Sequence, residues 1–458
     1  MYTRFVTRRN FLAALATPAA AQPPKLPNIV LIYADDLGSG DLGCYGHPLI
    51  RTPHLDRMAA EGIRFTQFYS AAPLCSPSRA ALMTGRYPVR SGINFVLFPD
   101  STGGIPDSEL TIAQLLKQRG YATQIVGKWH LGHLPQYLPT KHGFDNYFGI
   151  PYSNDMSLKT NTVYDELAVK RGTKRPAAAL DRYRNLPGVP LMRNEEVLER
   201  DPDQTQLTAR YTAEATAFLR GAVKAKKPFF LYFAHTMPHV PLFASEKFLG
   251  KSRAGLHGDT VEELDWSVGE VRKTLADLKV DQDTLILFSS DNGAPVNLGD
   301  NGGSNGPLRE GKATTWEGGY REPFIACWKG RIAGGRVSSE VASTLDIFPT
   351  LARLAGAKPP QDVVLDGHDL APLLWENKTR PQRDFFYYHA GTLHGMRRGP
   401  WKLRLPNPKQ PEKAQLFHLE ADYGERFDVA HLHWDIVAQM RDAMASHAAT
   451  FTGKPTQR

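Results

Sequence analysis

Apolar segments and polar breaks alternate along most of this chain in the order expected for strands followed by helices. Residues 28–34 form an apolar run closed by two acids, and Thr52 then offers an N-cap, with a proline in the first turn, for a helix that ends near Gly62. Between residues 261 and 278 the apolar positions step by threes and fours, which is the spacing of an amphipathic helix. The same patterns predict helices over residues 110–119 and 208–223 and strands over residues 121–126, 229–234 and 284–289. Such alternation predicts an α/β fold with a large, mostly parallel sheet covered by helices on both faces.

The pattern changes after the proline- and charge-rich stretch at residues 376–384. Shorter apolar segments follow, which predict strands over residues 385–389, 401–405 and 416–419 and a last helix near Val437. We therefore expect a main domain over residues 26–375 and a small C-terminal α+β subdomain over residues 384–450, with short antiparallel strands and a helix. The length of 458 residues and the 41% hydrophobic content allow a large core, but they do not by themselves decide the number of domains.

The first residues have the pattern of an export signal. Arg8 and Arg9 precede a short apolar segment, residues 11–21, which ends in small residues. This order is typical of a twin-arginine signal peptide, residues 1–21, which the twin-arginine export machinery would recognise and which would be cleaved near Ala21. A disordered basic tail is the alternative. No later stretch approaches the roughly 18 apolar residues of a membrane span, so we expect a soluble periplasmic or secreted protein without a stable membrane anchor.

The charge and the cysteine content narrow the classes of function. The formal net charge is +8, and removal of the predicted signal peptide takes away three arginines and no acid, which leaves +5. This modest excess would favour an anionic substrate, and no nucleic-acid partner is expected. The three cysteines, Cys44, Cys75 and Cys327, cannot form a disulfide framework, and no two of them share the Cys-x-x-Cys spacing of a zinc site.

Oxygen-bearing side chains follow two of the predicted strands. Asp35 and Asp36 close the first strand, and Asp291 and Asn292 follow the strand predicted at residues 284–289. In open α/β sheets, ligands bind beyond the carboxyl ends of strands. Four oxygen side chains without an imidazole or a thiolate are suited to a hard cation, calcium before magnesium. Each acid alone would more often be a helix cap or a turn residue, but their occurrence at two strand ends favours a metal site.

The segment at residues 73–86 contains a possible nucleophile. Ser76 can serve as the N-cap of a helix opened by Pro77, which places Cys75 beside a helix N-terminus. Backbone N–H groups and the helix dipole favour an anion there. A single cysteine before a helix is nevertheless ordinarily a buried structural residue.

The motifs around this cysteine resemble those of the sulfatase family, of the arylsulfatase type, in the alkaline phosphatase-like superfamily. The segment from Cys75 to Arg86 reads C-S-P-S-R-A-A-L-M-T-G-R, which looks like the sulfatase signature. Further matching motifs are A-D-D-L-G-S-G-D-L-G, G-K-W-H-L-G, P-Y-S-N-D, S-S-D-N-G and G-P-L-R-E-G-K-A-T-T-W-E-G-G-Y-R-E-P. The resemblance implies that a formylglycine-generating enzyme converts Cys75 to formylglycine (3-oxoalanine), and that residues 26–375 are the catalytic domain.

The resemblance also assigns roles to individual residues. It implies a calcium ion bound by Asp35, Asp36, Asp291 and Asn292 together with the modified Cys75. Arg79 and Lys128 would steady the modified residue, and His130 would take a proton from its hydrate. His239, in M-P-H-V-P, and Lys312, in R-E-G-K, would contact the sulfate and the leaving oxygen, with Ser153 as a weaker match. His235 lies near His239 in the chain, but the following V-P selects His239.

These roles describe a sulfuric ester hydrolase. Cleavage of a sulfate ester requires neutralisation of charge on the sulfuryl oxygens, which one Ca²⁺ with Lys128, Lys312 and Arg79 would supply. A hydrated aldehyde offers two hydroxyls on one carbon: one attacks sulfur, and the other, deprotonated by His130, expels sulfate and restores the aldehyde. A serine or cysteine nucleophile lacks that second hydroxyl.

Two other functions remain open from the sequence. One is a phosphodiesterase or phosphonate hydrolase of the same superfamily, and the other is a non-catalytic binder of sulfated glycans, if Cys75 stays a thiol. For a sulfatase, a sulfated glycan is the preferred substrate and an aryl or alkyl sulfate the second choice. The loops at residues 157–203 and 385–411 match the family poorly and are expected to shape the leaving-group pocket. The motifs include Trp129 and Trp316, for which we expect packing in the core rather than a place in the pocket lining.

Overall fold

The computed structural model describes Met1 and residues 26–159 and 185–451. The predicted signal peptide at residues 1–21 therefore lies outside the described residues, as does the middle of the predicted pocket loop at residues 157–203. Among the helices of the described part, none is both long enough and apolar enough to cross a lipid bilayer.

A large mixed sheet forms the centre of the molecule. Its strands are β1 Asn28–Ala34, β2 Ile63–Tyr69, β3 Ala122–Gly127, β4 Asn146–Gly149, β5 Pro190–Arg193, β6 Glu196–Arg200, β7 Phe229–Ala234, β8 Thr284–Ser290, β9 Arg321–Cys327, β10 Arg336–Ser338 and β11 Ala342–Ser343. They are ordered β10-β2-β9-β8-β1-β7-β3-β4-β5-β6, with β11 also paired to β2. The central strands β8, β1, β7, β3 and β4 are parallel, whereas β9 runs antiparallel between β8 and β2. The predicted α/β fold with a mostly parallel sheet is confirmed.

Helices cover both faces of this sheet. They are α1 Pro53–Ala60, α2 Cys75–Thr84, α3 Pro88–Ser91, α4 Ile112–Lys117, α5 Leu207–Lys224, α6 Gly255–Asp277, α7 Glu317–Tyr320, α8 Ile347–Leu354, α9 Ala371–Leu374 and α10 Trp434–Ala448. Alternate residues of β1 enter two separate cores. Leu31 packs in the core with residues of α2, α4 and α8, and Ile32 packs in the core with residues of α1, α5 and α6. The central strand is therefore apolar from Ile29 to Ala34, as expected when both faces are buried.

A second, antiparallel sheet lies in the C-terminal part of the chain. Its strands are β12 Asp384–His389, β13 Thr392–Arg398, β14 Trp401–Arg404 and β15 Gln415–His418, in that order. One face packs against α10 through residues such as Met396 and Met440. The sequence predicted three of these strands and the helix but missed β13, which pairs with both β12 and β14.

Candidate active site

The candidate site lies where the parallel strands of the large sheet end. β1 leads into Asp35 and Asp36, and β8 leads into Asp291 and Asn292. β3 leads into Lys128, Trp129 and His130, and β7 into the segment with His235 and His239. Because β8, β1, β7 and β3 are neighbours and parallel, their carboxyl ends meet at one edge. The strand order thus brings together residues that are more than 250 positions apart in the sequence, such as Asp36 and Asn292.

Cys75 begins helix α2 and is enclosed by the site. The N-cap of this helix is Leu74, so the expected N-cap role of Ser76 is wrong. Ser76 lies inside the first turn, and its hydroxyl accepts a hydrogen bond from the Leu97 N–H at 3.1 Å. Cys75 is 2% exposed, and its Sγ is 3.7 Å from an oxygen of Asp35. Burial raises the pKa of the Cys75 thiol to about 12, although nearby lysines act in the opposite direction. The unmodified side chain is therefore a neutral thiol at physiological pH.

Three carboxylates and three cations alternate around Cys75. Lys128 Nζ is 2.7 Å from Asp35, and Lys312 Nζ is 2.8 Å from Asp36. The Arg79 guanidinium donates two hydrogen bonds to Asp291 Oδ2, at 2.8 and 3.0 Å. Its third contact is a hydrogen bond of 3.0 Å to the carbonyl of Lys128. The three positive and three negative formal charges cancel. A bound cation or anion would therefore give the site a net charge.

The pKa values of the carboxyl groups differ with their surroundings. Burial alone would raise the pKa of Asp35, but the charges of Lys128, His239 and Arg79 hold it below its ordinary value. Asp36 is likewise buried, and Lys312 and His239 lower its pKa. The pKa of Asp291 is raised by burial and by Asp35, against the influence of Arg79.

The donor set fits a hard cation. Ligand atoms of Asp35, Asp36, Cys75 and His239 lie within 4.8 Å of one another. Asn292 Oδ1 is buried without a hydrogen-bond partner among the described residues, while its amide nitrogen donates to Asp36 at 2.7 Å. Buried polar atoms are rarely left unpaired in folded proteins. An oxygen-rich cluster with one unused amide oxygen is the arrangement that a calcium-type ion would complete.

His130 is held in one tautomer. Its Nε2 lies 2.8 Å from the carbonyl oxygen of Leu97, so Nε2 carries the proton and donates it. Nδ1 is buried and has no hydrogen-bond partner in the described part of the chain, which leaves its lone pair available. Burial and the positive charges of Lys128 and Arg79 hold the pKa of His130 well below its ordinary value. His130 is therefore a neutral imidazole with one free acceptor nitrogen, which is the state required of a general base.

His239 and Ser153 complete the side of the site near the lysines. His239 Nδ1 donates to the carbonyl of Val240 at 2.6 Å, and its Nε2 lies 3.6 Å from Asp36. The hydroxyl of Ser153 accepts a hydrogen bond of 3.2 Å from Lys128. His235 has neither ring nitrogen bonded to a described residue, and burial lowers its pKa to about 3. The structure thus brings His239, and not His235, to the carboxylates.

Several residues of the site adopt left-handed backbone conformations. Asp36 has φ 64° and His130 has φ 60°, and Lys312 stands between Glu310 at 56° and Ala313 at 65°. Residues other than glycine seldom adopt this region, and each such residue costs on the order of 1–3 kcal/mol that the surrounding structure must offset. The backbone is thus strained where it presents an acid, the imidazole and Lys312.

One component of the candidate site could not be predicted from side chains. The carbonyl of Leu97 sets the tautomer of His130, and a backbone group leaves no signal in a pattern of side chains. The two tryptophans are packed as expected: Trp129 is fully buried and donates to the Tyr137 carbonyl at 2.8 Å, and Trp316 packs on Phe417.

A family model and known proteins of similar sequence match most of this chain. A family model described as Sulfatase matches residues 27–357. Arylsulfatase A of Homo sapiens is 46% identical to this chain over 385 residues, which cover 83% of this chain and 73% of that protein. N-acetylgalactosamine-6-sulfatase of Canis lupus familiaris is 41% identical over 477 residues, which cover 95% of this chain and 88% of that protein.

A solved structure matches the fold over almost the whole chain. The structure described as Ps i-CgsB in complex with k-i-k-neocarrahexaose has a TM-score of 0.80 and 32% sequence identity to this chain. The match covers 94% of this chain and 95% of that one, so it includes both sheets.

Proposed function

This chain belongs to the sulfatase family, whose members hydrolyse sulfate esters, and we propose that it acts through a formylglycine made from Cys75 beside a calcium ion. The observation that carries the proposal is the position of Cys75. It is the first residue of α2, it is enclosed, and it lies within the cluster of Asp35, Asp36 and His239. A buried thiol with a pKa of about 12 is a poor nucleophile, which supports the modified side chain as the reacting group.

The modified residue would supply what a thiol cannot. In its hydrated form the aldehyde has two hydroxyl groups on one carbon, one to attack sulfur and one to allow the later release of sulfate. His130 would accept the proton of the second hydroxyl at Nδ1. That nitrogen keeps its lone pair because Nε2 is committed to the Leu97 carbonyl.

Asp35, Asp36, Asp291 and Asn292 would hold the calcium ion, together with the modified Cys75. When bound, the ion supplies positive charge next to the sulfuryl oxygens. Because three carboxylates and three cations already cancel, the charge of the ion is left over to balance a sulfate ester. Arg79 orients Asp291 through its two hydrogen bonds.

The lysines and His239 would bind the sulfate group. Lys128 and Lys312 each have one carboxylate contact, and burial does not neutralise them, since Asp35 and Asp36 keep their pKa values raised. His239 Nε2 faces the same carboxylates and is the group placed to meet the leaving oxygen. Ser153 would steady Lys128. Such preorganised charge is usually the largest single contribution to catalysis of this kind.

A sulfated glycan is the substrate class that we propose. One relative is named for an N-acetylgalactosamine 6-sulfate, and one matching structure contains a neocarrahexaose. Desulfation of a panel of sulfated mono- and oligosaccharides would identify the sugar. Turnover of nitrophenyl sulfate, compared with nitrophenyl phosphate, tests the reaction class. Faster turnover of the phosphate would favour a phosphoester hydrolase.

Intact-peptide mass spectrometry of the segment around Cys75 tests the modification directly. The aldehyde differs in mass from the thiol, and an active preparation should contain the aldehyde. A preparation with only the thiol and full activity would contradict the proposal. A thiol-only protein that binds sulfated glycans without hydrolysis would be the non-catalytic alternative.

We also propose that the protein is exported to the periplasm or beyond the cell. The proposal rests on the Arg8-Arg9 pair and the apolar segment after it. Replacing both arginines with lysine should retain the protein in the cytoplasm, because the receptor recognises the pair itself. Continued export of the double variant would show that another route is used.

A further inference from the structure

Two arginines stack on the two faces of one tryptophan beside the catalytic segment. The guanidinium carbon of Arg309 is 3.7 Å from the centroid of the Trp316 ring, and that of Arg404 is 3.8 Å from it. Two groups this close to one ring centroid can only lie on opposite faces. Each guanidinium is attracted to the electron-rich face of the indole, which also keeps the two like charges apart. We call Arg309, Trp316 and Arg404 the arginine stack.

The charges of the stack have no carboxylate partner among the described residues. Arg309 donates to the backbone carbonyl of Glu425 at 2.7 Å. Arg404 donates to Thr315 Oγ1 at 3.0 Å and to Gln415 Oε1 at 2.8 Å. These acceptors are neutral, so neither guanidinium forms an ion pair with a described residue.

The nearest carboxylate is already engaged. One oxygen of Glu425 is 2.7 Å from Lys402 Nζ, and the other accepts the N–H of Glu317 at 2.7 Å. Burial lowers the pKa of Arg404, Glu425 raises it, and the positive charge of Arg309 lowers it further. An anion placed against the stack would relieve this repulsion.

The stack belongs to the same chain segment as Lys312. Lys312 reaches Asp36, and the next residue, Ala313, donates its N–H to the carbonyl of Pro73, two positions before Cys75. Trp316 follows three residues later. The stack therefore lies at the border between the candidate active site and the C-terminal sheet that carries Arg404.

The loop whose Glu425 carbonyl accepts the Arg309 hydrogen bond carries exposed aromatic residues. The loop at residues 422–427 packs against the same segment, since a Cβ on Gly424 would lie 3.5 Å from the Pro307 carbonyl. Asp422 fixes the loop by accepting the N–H groups of residues 426 and 427 at 2.7 and 2.8 Å. Tyr423 is 43% exposed and Phe427 is 67% exposed. Exposed aromatic residues on a loop that is bonded to Arg309, a guanidinium group without a carboxylate partner among the described residues, suit a ligand with apolar sugar faces and anionic substituents.

We propose that Arg309 and Arg404 bind a second anionic group, a sulfate or a carboxylate, on the sugar next to the one that is hydrolysed. The inference rests on the proposed sulfatase function and narrows its substrate to a polyanionic glycan. Guanidinium groups match the oxygens of sulfate and carboxylate with two parallel hydrogen bonds. Because the faces of Trp316 are covered by the arginines, Tyr423 and Phe427 are the rings that meet the sugar.

The test compares one long and one short anionic ligand. Nitrophenyl sulfate hydrolysis is measured in the presence of a chondroitin 6-sulfate tetrasaccharide or of N-acetylgalactosamine 6-sulfate, and each inhibition constant is determined. In the wild type the tetrasaccharide should bind at least about tenfold more tightly than the monosaccharide, as expected for one additional charged hydrogen-bonded contact. The advantage should fall as salt is added, because the contact is ionic.

Arg404→Gln and Arg309→Gln should each weaken binding of the tetrasaccharide about tenfold and should weaken binding of the monosaccharide much less. Arg309 is the safer of the two variants, since it is exposed and makes a single hydrogen bond to protein. Arg331→Gln is the matched control. Arg331 also stands over an indole, that of Trp328 at 5.6 Å, but it follows β9 at the opposite edge of the sheet. It should change neither constant.

The proposal is overturned if the wild type binds both ligands equally tightly. It is also overturned if the Arg309 and Arg404 variants weaken binding of both ligands by the same factor. A wild type that does not hydrolyse nitrophenyl sulfate at all, despite a converted Cys75, would instead contradict the proposed function. The two failures are therefore distinguishable.

Discussion

The neutral imidazole of His130 carries its ring proton on Nε2, because Nε2 donates a hydrogen bond to the Leu97 carbonyl. Replacement of His130 by alanine removes the free Nδ1 acceptor and should slow the release of sulfate more than the first attack on sulfur. We expect kcat to fall by about 10²–10⁴-fold, the usual contribution of a general base. Rapid-mixing kinetics should then show a burst of leaving group before a slow steady state. An equal loss in both phases would assign His130 another role.

The pKa of His130 also predicts the pH dependence of the reaction. Burial and the charges of Lys128 and Arg79 lower this pKa below its ordinary value, which is about 6.5. The neutral form is the active one, so activity falls only when the pH drops below the lowered pKa. The acidic limb of the kcat profile should therefore lie below the ordinary pKa of histidine, which is about 6.5. A limb at pH 7 or above in the wild type would contradict this assignment.

Cys75→Ser tests the need for two hydroxyls. A serine keeps one hydroxyl near Lys128 and Lys312, so a single attack on sulfur is conceivable. The sulfated serine has no second hydroxyl, and the variant should release at most one leaving group per molecule without turnover. Sustained hydrolysis would refute the elimination step, and mass spectrometry would show whether the serine carries a sulfate. Cys327→Ser is a matched control, since Cys327 lies at the opposite end of β9 from the site.

The strands and helices with a regular apolar sequence pattern were predicted. The strands whose pairing depends on segments far away in the sequence were not. β1, β7 and β8 each contain a continuous apolar run, and each was predicted to within one residue. β2 and β9 were missed because they pair with each other and alternate less regularly. α6 begins at Gly255, six residues before its predicted start, because His257 and Asp259 are buried polar residues that the apolar spacing omits. The acids at strand ends were predictable from the same runs that define the strands.

The contact between the two sheets contains a buried charge cluster. Lys402 on β14 is fully buried and lies 3.1 Å from Glu317 and 2.7 Å from Glu425. Tyr69 and Tyr387 donate to the same Glu317 carboxylate, at 2.6 and 2.8 Å. Burial would raise the pKa of Glu317, but Lys402 and neighbouring arginines lower it to about 2. The cluster anchors α7, which directly follows the segment with Lys312 and Trp316.

Lys402→Met should therefore destabilise the protein by about 3–5 kcal/mol at neutral pH, because the buried Glu425 carboxylate loses its cation. Burial already raises the pKa of Glu425, and without Lys402 this pKa would lie further above that of the unfolded chain, so folding would take up a proton. The stability difference from the wild type should then shrink as the pH falls from 8 to 5. The double variant Lys402→Met/Glu425→Gln should recover part of the loss. Thermal unfolding at the two pH values measures this, and a difference independent of pH would contradict it.

For the whole molecule, calcium should act as a ligand that stabilises the fold. A ligand that binds only the folded state, present at a concentration 100 times its dissociation constant, adds about 2.7 kcal/mol to the free energy of unfolding. Ca²⁺ should raise the melting temperature, a chelator should abolish activity, and Ca²⁺ should restore activity better than Zn²⁺ because the donors are mainly oxygens. Asn292→Ala should lose this stabilisation, whereas Asn407→Ala, on the exposed turn after β14, should keep it. An unchanged melting curve of the wild type at saturating Ca²⁺ would contradict the site.

The enclosure of Cys75 limits the time in which its thiol can be modified. The parts that close over it, Asp291 bonded to Arg79 and Ala313 bonded to Pro73, are synthesised long after Cys75 itself. Arg79 and Asp291 are 212 positions apart, which corresponds to roughly 10–40 s of translation at 5–20 residues per second. The proposed converting enzyme would have to reach the thiol during this interval or before the finished chain folds. The occupancy of the aldehyde should therefore be set by a race between two rates, and a molecule that folds first stays permanently inactive.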